Sequence, residues 1–229
     1  LLTSALSAYG QTITSLANAD PQKSYVITSA DVSGLFGSAG GKMRVNGSSV
    51  SATTRATTTN DTHRFAFVKD PFNSTAAYYL YNVGAGKFVT KSGNNLALSD
   101  TPGEQVYIRT SGSYINVNIG SSGNTYLRIT SSAVSTRTNI NNNNDHHTIT
   151  QDGDFNSFSL WSKFIKSNKC YTITAYNSQL SFYADGNGIR GDSRGSSTAE
   201  AYRFAFIQRS GNYYLYSVGQ SKFVTLNDD

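Results

Sequence analysis

Tyr79 to Thr90 reads YLYNVGAGKFVT, and Tyr214 to Thr225 reads YLYSVGQSKFVT, 135 residues later. A self-match of this quality marks an internal repeat, which has to be settled before any local reading of the chain. The match extends to both sides. Arg64-Phe65-Ala66-Phe67-Val68 returns as Arg203-Phe204-Ala205-Phe206-Ile207, and Lys23-Ser24-Tyr25-Val26-Ile27-Thr28 as Lys169-Cys170-Tyr171-Thr172-Ile173-Thr174. The offsets between the copies are 146, 139 and 135, falling in steps along the chain. Strands that keep their length, joined by surface loops that shorten, produce such a drift. The chain therefore carries two homologous domains.

Composition points to strands. The 229 residues are 14% charged and 38% hydrophobic, with 15 Tyr and 12 Phe but one Trp, one Met and three Pro. Aromatics, Thr and Val in short runs broken by Gly, Asn and Ser fit a pleated, half-buried surface, and no window holds a long apolar stripe of helical period. Short segments of this kind begin at Tyr25, Lys42, Phe65, Tyr79, Lys87, Asn95, Val106, Tyr114, Tyr126 and Thr148, with turn clusters such as Asn46-Gly47 and Ser92-Gly93-Asn94-Asn95 between them. The reading is all-β.

The net charge of +5 comes from Lys and Arg scattered singly. A nucleic-acid partner would call for a basic run or stripe, so none is expected. Cys170 is the single cysteine and cannot form an intrachain disulfide. Leu1 to Gly10, LLTSALSAYG, has the apolar run and small residues of the end of a secretory signal. Two readings stay open there: a signal remnant, which puts the protein outside the cytoplasm (secreted, periplasmic or at the cell surface), or an ordinary mature N-terminus. No later stretch is apolar for long enough to span a membrane as a helix.

Within the first copy a finer rhythm appears. Segments opening at Tyr25, Tyr79 and Tyr114 each begin on an aromatic strand, pass a Gly-containing turn and close on a strand preceded by a polar pair. The closers are His63-Arg64-Phe65, Gln105-Val106-Tyr107 and His146-His147-Thr148. Three such units in one domain imply threefold pseudo-symmetry, which a two-sheet sandwich lacks and a closed barrel capped by hairpins has.

Gly86-Lys87-Phe88-Val89-Thr90, then Asn95-Leu96-Ala97-Leu98, then Gln105-Val106-Tyr107 resembles one lobe of a ricin-type β-trefoil lectin. That family runs through a Gly-x-Cys-Leu-Asp turn, a Leu strand and a closing Gln-x-Trp. The Lys-x-Tyr-x-Ile strands at Lys23 and Lys169 also resemble trefoil modules near the N-termini of secreted Bacteroidetes proteins. The resemblance implies a non-catalytic carbohydrate-binding accessory module, with a glycan or polysaccharide as partner and no cofactor, in a longer protein with a possible C-terminal catalytic domain. Two departures count against a ligand set like the family's. Thr90 and Thr225 stand where the family's turn carries Asp, and Tyr107, Phe65 or Phe204 where it closes on Trp. Those aromatics are expected in a symmetric core.

The domain boundaries follow. Residues 1–22 are the signal remnant and lead-in, 23–151 a complete β-trefoil, 152–168 an apolar connector, and 169–229 a second, incomplete trefoil. The connector holds Phe155, Phe158, Leu160, Trp161, Phe164 and Ile165, too apolar for a free linker. It is expected to pack between the domains, the alternative being that Trp161 is an exposed sugar-stacking residue. The second copy ends in its second lobe, so further residues of a longer protein, or strand exchange with another copy, are expected to complete it.

No catalytic or metal motif emerges. His146-His147 on one strand point to opposite faces, and Asp152-Gly153-Asp154 and Asp185-Gly186-Asn187-Gly188 lack the later Glu of a calcium loop and read as turns. Sugar recognition needs a carboxylate or amide for hydroxyl groups and an aromatic face for the ring. Two loops carry that mixture: Asp70, Phe72 and Asn73 in an insertion absent from the second copy, and Tyr183, Asp185 and Asn187 in the second copy. The competing function is a structural or protein-interaction spacer with no sugar site.

Overall fold

The computed structural model describes residues 10–29, 40–72, 77–111, 114–120, 125–138, 145–166, 168–175, 180–186, 188–193 and 199–225. Among them the regular structure is β-strand, with a few short 3-10 helices. The chain divides into two compact units, Leu1–Phe164 and Ile165–Asp229.

The first unit holds β1 (Lys23–Ser29), β2 (Gly41–Asn46), β3 (Ser49–Thr54), β4 (Phe65–Lys69), β5 (Tyr78–Asn82), β6 (Lys87–Ser92), β7 (Asn95–Ser99), β8 (Val106–Ser111), β9 (Tyr114–Ile119), β10 (Tyr126–Ile129), β11 (Val134–Arg137) and β12 (His147–Asp154). Six of them, β1, β4, β5, β8, β9 and β12, pair in that order and β12 returns to β1, all antiparallel, so that they form a closed ring. The remaining strands form the hairpins β2–β3, β6–β7 and β10–β11, whose outer arms β3, β7 and β11 pack on one another.

The connectivity repeats three times. The first and last strands of each set of four meet at one bridge: Tyr25 with Phe65, Tyr78 with Val106, and Ile115 with His147. Between sets the pairing is long, running over Phe65–Lys69 with Tyr78–Asn82, Val106–Ser111 with Tyr114–Ile119, and Lys23–Ser29 with His147–Asp154. The three closers expected from sequence contain the ring-closing positions, but in two of them the bridge falls one residue early, on Val106 and His147 where Tyr107 and Thr148 align with Phe65. Tyr107, expected in the core, thus takes the other face of its strand. Phe65 is fully buried, Val106 takes the equivalent place in the second set, and neighbouring Tyr107 is half-buried with its hydroxyl donating to Gln105 Oε1 at 2.6 Å.

Strand periodicity sorts the apolar residues onto two faces. Tyr25, Ile27, Phe65, Phe67, Leu80, Val106, Val117, Ile119, Leu127 and Ile149 pack into the central core. The intervening Ala66 and Val68, with Tyr79, Tyr81 and Phe88, form a second cluster on the other face. This cluster is covered by Phe155, Leu160 and Phe164, from the segment leading into and forming the 3-10 helix Ser157–Phe164. The apolar stretch expected to lie between the domains thus packs on the first unit. With both faces covered, β4 reads FAFVK, a continuous apolar run in place of an alternating one.

The second unit contains β13 (Ser181–Ala184), β14 (Ile189–Asp192), β15 (Phe204–Arg209), β16 (Asn212–Ser217) and β17 (Lys222–Phe223). It reproduces the start of the first. Tyr171 bridges Phe204 as Tyr25 bridges Phe65. The turn Asp61–His63 has its counterpart in Glu200–Tyr202, and Val218 N–H donates to Arg203 O at 3.0 Å as Val83 N–H donates to Arg64 O at 2.9 Å. Gly84 and Gly219 occupy matching places. A Cβ on the first would lie 2.7 Å from the Asp61 carbonyl carbon, and one on the second 2.9 Å from that of Glu200, so backbone contact accounts for the glycine in both copies.

In the first unit two strands escape the sequence reading, Ser49–Thr54 (SVSATT) and Val134–Arg137 (VSTR); in the second, β13 and β14 do, β13 occupying part of the stretch read as the Tyr183 loop. The two in the first unit are outer hairpin arms with few bulky residues. Asp152-Gly153-Asp154, expected as a turn, is the end of β12. An irregular register near Lys23–Tyr25 and Gly153 at φ +100° mark a bulge there, and a bulge carries the same glycine signal as a turn.

Candidate functional site

The two loops singled out in the sequence lie in different units. In the first, Asp70 follows β4 and its N–H donates to Ala77 O at 2.9 Å. Its carboxylate accepts the Phe72 N–H at 2.8 Å, an Asx-type turn that commits one oxygen to local structure. Phe72 is 36% exposed, and Asn73 lies outside the described residues.

In the second unit Tyr183 lies on β13 and turns away from the loop. Its ring packs 5.5 Å from that of Tyr202, whose hydroxyl donates to Asp192 Oδ2 at 2.9 Å. Asp185 begins the β13–β14 turn, where its N–H donates to Gly188 O at 3.1 Å and its carboxylate accepts Arg190 Nε–H at 3.0 Å. Asn187 lies outside the described residues.

Asp185 also lines a cavity of about 210 Å³ closed on its far side by the β16–β17 turn. That turn supplies Ser217, Gln220, Lys222, Phe223 and Thr225. Gln220 spans the two walls, its Nε2 donating to Ala184 O at 3.3 Å while its backbone N–H donates to Ser217 Oγ at 3.4 Å. A carboxylate, a primary amide, a hydroxyl, an ammonium group and the edge of a half-exposed aromatic ring therefore converge on one small depression. Such a set can exchange hydrogen bonds with a polyhydroxylated ligand and cover an apolar ring face.

Sequence reasoning reached Asp185 and missed Ser217, Gln220 and Lys222, which lie inside the repeated stretch. The available signal was the mismatches between copies. Ser217 stands for Asn82, and Gln220 for Ala85. In the first unit Asn82 is fully buried: its Nδ2 donates to Thr62 O at 2.9 Å and Arg64 O at 3.2 Å, and its Oδ1 accepts the Ala85 N–H at 2.8 Å. The longer amide is used up there as internal glue, while in the second unit the buried Ser217 and the longer Gln220 both line the cavity.

The histidine pair divides as strand geometry requires. His147 is buried and its Nδ1 accepts the Val117 N–H at 3.1 Å, whereas His146 stacks flat on the half-exposed Tyr114 at 4.3 Å. Burial, followed by the neighbouring His146, pushes the His147 imidazole down to about 3. Among the described residues no three His, Cys, Asp or Glu side chains come together as a metal site. Asp152 and Asp154 instead pair with Arg64 at 3.4 Å and Lys23 at 2.6 Å. Trp161 is 41% exposed. No described helix is long and apolar enough to cross a membrane.

No protein-family model matches the chain, and no curated protein does. Among solved structures it is similar to a chain from "Structure and mode of action of a mosquitocidal holotoxin", at 10% identity and a TM-score of 0.46. The match covers 86% of this chain and 24% of that one, so the chain spans about a quarter of that structure's length.

Proposed function

We propose that the chain is a non-catalytic, lectin-like carbohydrate-binding module that acts outside the cytoplasm, built as a β-trefoil followed by a second unit that repeats its opening strands. The six-stranded ring, its three hairpins and the threefold recurrence of the single-bridge closure support the trefoil reading for the first unit. The signal-like Leu1–Gly10 stretch motivates the extracytoplasmic placement, although residues 1–9 lie outside the described structure.

The observation that carries the functional reading is the Asp185 cavity. Asp185 and Gln220 accept and donate toward vicinal hydroxyl groups, Lys222 donates, and Phe223 lies against the less polar ring face. A site of this size takes one or two sugar rings, and a shallow polar site of that kind binds weakly, so affinity would come from repeated sites on a polymer.

A glycan array with plant, host and bacterial polysaccharides, followed by titration calorimetry on the best hit, tests the reading. Asp185→Asn and Gln220→Ala are each expected to weaken that ligand about tenfold or more, each removing a hydrogen-bonding group the ligand uses. A chain that binds nothing on the array, or whose two variants bind as the parent does, refutes it.

A further inference from the structure

The outer face of the β15–β17 sheet repeats a face that the first unit keeps covered. In the first unit β4 and β5 pair Ala66 with Tyr81 and Val68 with Tyr79, and β5 and β6 pair Tyr81 with Phe88. In the second, β15 and β16 pair Ala205 with Tyr216 and Ile207 with Tyr214, and β16 and β17 pair Tyr216 with Phe223. The register is the same and the residues match one for one, with Ile for Val the one change. Even the ring geometry recurs: Tyr81 and Phe88 meet at 5.1 Å and 71°, Tyr216 and Phe223 at 5.2 Å and 72°.

What differs is the cover. In the first unit the Phe164 ring lies 5.4 Å from Tyr79 and 5.9 Å from Phe88, Phe155 stacks on Tyr81 at 5.4 Å, and Leu160 joins the same cluster. Val68 and Phe88 are consequently 2% and 0% exposed. Their counterparts Ile207 and Phe223 are 38% and 54% exposed, and Tyr214 is 46% exposed. A depression of about 290 Å³ lies among Ile207, Tyr214 and Phe223, the three residues whose equivalents gather around Phe164. Arg209 and Ser210 form its rim. Sequence gives the same message, because in FAFIQR both parities of the strand are apolar, a pattern for a strand buried on both faces.

We propose that this face of the second unit docks a short helical segment of a partner polypeptide that presents an aromatic side chain with a leucine one turn before it. The aromatic ring fills the depression between Ile207, Tyr214 and Phe223 as Phe164 does in the first unit. The leucine lies over the Ala205–Tyr216 pair, and Arg209 on the rim selects a partner carrying a carboxylate next to the aromatic. The first unit's own segment shows the kind of element that fits, and helix-in-groove recognition of this kind rests on two or three apolar anchors. This face shares Phe223 with the proposed sugar site but rests on separate observations, the uncovered Ile207 and Tyr214.

The test uses the full chain and a fluorescently labelled synthetic peptide of the Asp154–Phe164 sequence, read by anisotropy. A second peptide carries glutamate in place of the lysine beside its last phenylalanine. The parent peptide is expected to bind at one site with a dissociation constant below about 1 mM, and the glutamate peptide more tightly, with the gain lost at high salt. Replacing the last phenylalanine of the peptide by alanine, or Ile207→Asp in the chain, is expected to weaken binding about tenfold or more. Asp185→Asn should leave it unchanged. Hydrogen exchange confirms that the Ile207→Asp chain keeps β15–β16, and Tyr214→Ser replaces it if it does not. Absence of binding at about 1 mM peptide, or binding indifferent to Ile207→Asp and Tyr214→Ser, overturns the proposal. So does a concentration-dependent dimer that Ile207→Asp abolishes, which would give the face to a second copy of this chain.

Discussion

Phe88→Ala and Phe223→Ala make the same chemical change at matching places of the repeat, yet their costs should differ severalfold. Phe88 is 0% exposed, with Tyr81 and Phe164 against its ring at 5.1 and 5.9 Å. Truncating it removes the transfer free energy of a whole ring and leaves a cavity walled by neighbours that the sheet holds in place, which costs about 3–5 kcal/mol. Phe223 is 54% exposed, so roughly half the burial is there to lose and water enters the space, for a cost of about 1 kcal/mol. Urea unfolding reads the difference. Trp161, the one tryptophan, belongs to the first unit and reports its transition by fluorescence, while hydrogen exchange of β15–β16 amides reports the second. Phe88→Ala should move the fluorescence midpoint down by about 2 M at an m-value of about 2 kcal/mol/M. Phe223→Ala should leave that midpoint in place and lower β15–β16 protection by about a factor of five, from the conversion of about 1 kcal/mol. Equal costs at the two sites would refute the reasoning, since they would require Phe223 to be as buried in solution as Phe88.

Acidification should destabilise the first unit through its buried imidazoles. His147 is pushed down to about 3 and His63 is lowered as well, burial being the main cause for both. Below about pH 6.5 the unfolded chain takes up protons that the folded one refuses. Stability is thus complete above that pH and falls as pH drops toward 3, by about 1.4 kcal/mol per pH unit for His147 alone. Urea midpoints at pH 7, 6 and 5 measure the slope, and His147→Asn, whose amide oxygen can still accept the Val117 N–H, should remove about one proton from it. Gly84→Ala should disrupt the first unit, because the added methyl meets the Asp61 backbone at 2.7 Å while the two turns are held together by the Gly84 N–H donating to Asp61 O at 3.0 Å. A cost above about 2 kcal/mol in the same unfolding assay is expected, and a neutral result would remove the steric account of this glycine.

The features legible in the sequence were those written in large apolar side chains. Tyr25, Phe65, Tyr79 and Phe88 recur as Tyr171, Phe204, Tyr214 and Phe223, and that recurrence alone separates two units and aligns their strands. The three closers lie within one residue of the ring positions Phe65, Val106 and His147, because a closed ring repeats its closure wherever the chain returns, but the pattern cannot tell Val106 from Tyr107 when neither position is an alternating polar one. The outer hairpin arms SVSATT and VSTR were invisible for the opposite reason. Their strand state is set by the partner arm, a tertiary effect that small polar residues do not announce. The candidate site was half legible. Asp185 stands out in a glycine-rich turn, but Gln220 and Lys222 become its neighbours only when β16–β17 folds beside that turn, a juxtaposition across 35 residues that no local pattern records.

The pairing of β1 with β12 has a consequence for how the protein is made. Lys23 and Asp154 are joined at 2.6 Å across 131 residues of chain, and the ladder between their strands is one of the ring's three long ones. At about 5–20 residues per second, β1 leaves the ribosome roughly 7–26 s before the strand that covers its edge has been synthesised. During that time Tyr25 and Ile27, fully buried in the finished ring, lack their partners Gln151 and Ile149. The unit thus cannot settle strand by strand behind the ribosome. Its last-made strand completes the ring, and until then the nascent chain presents an open edge to whatever else is in the compartment.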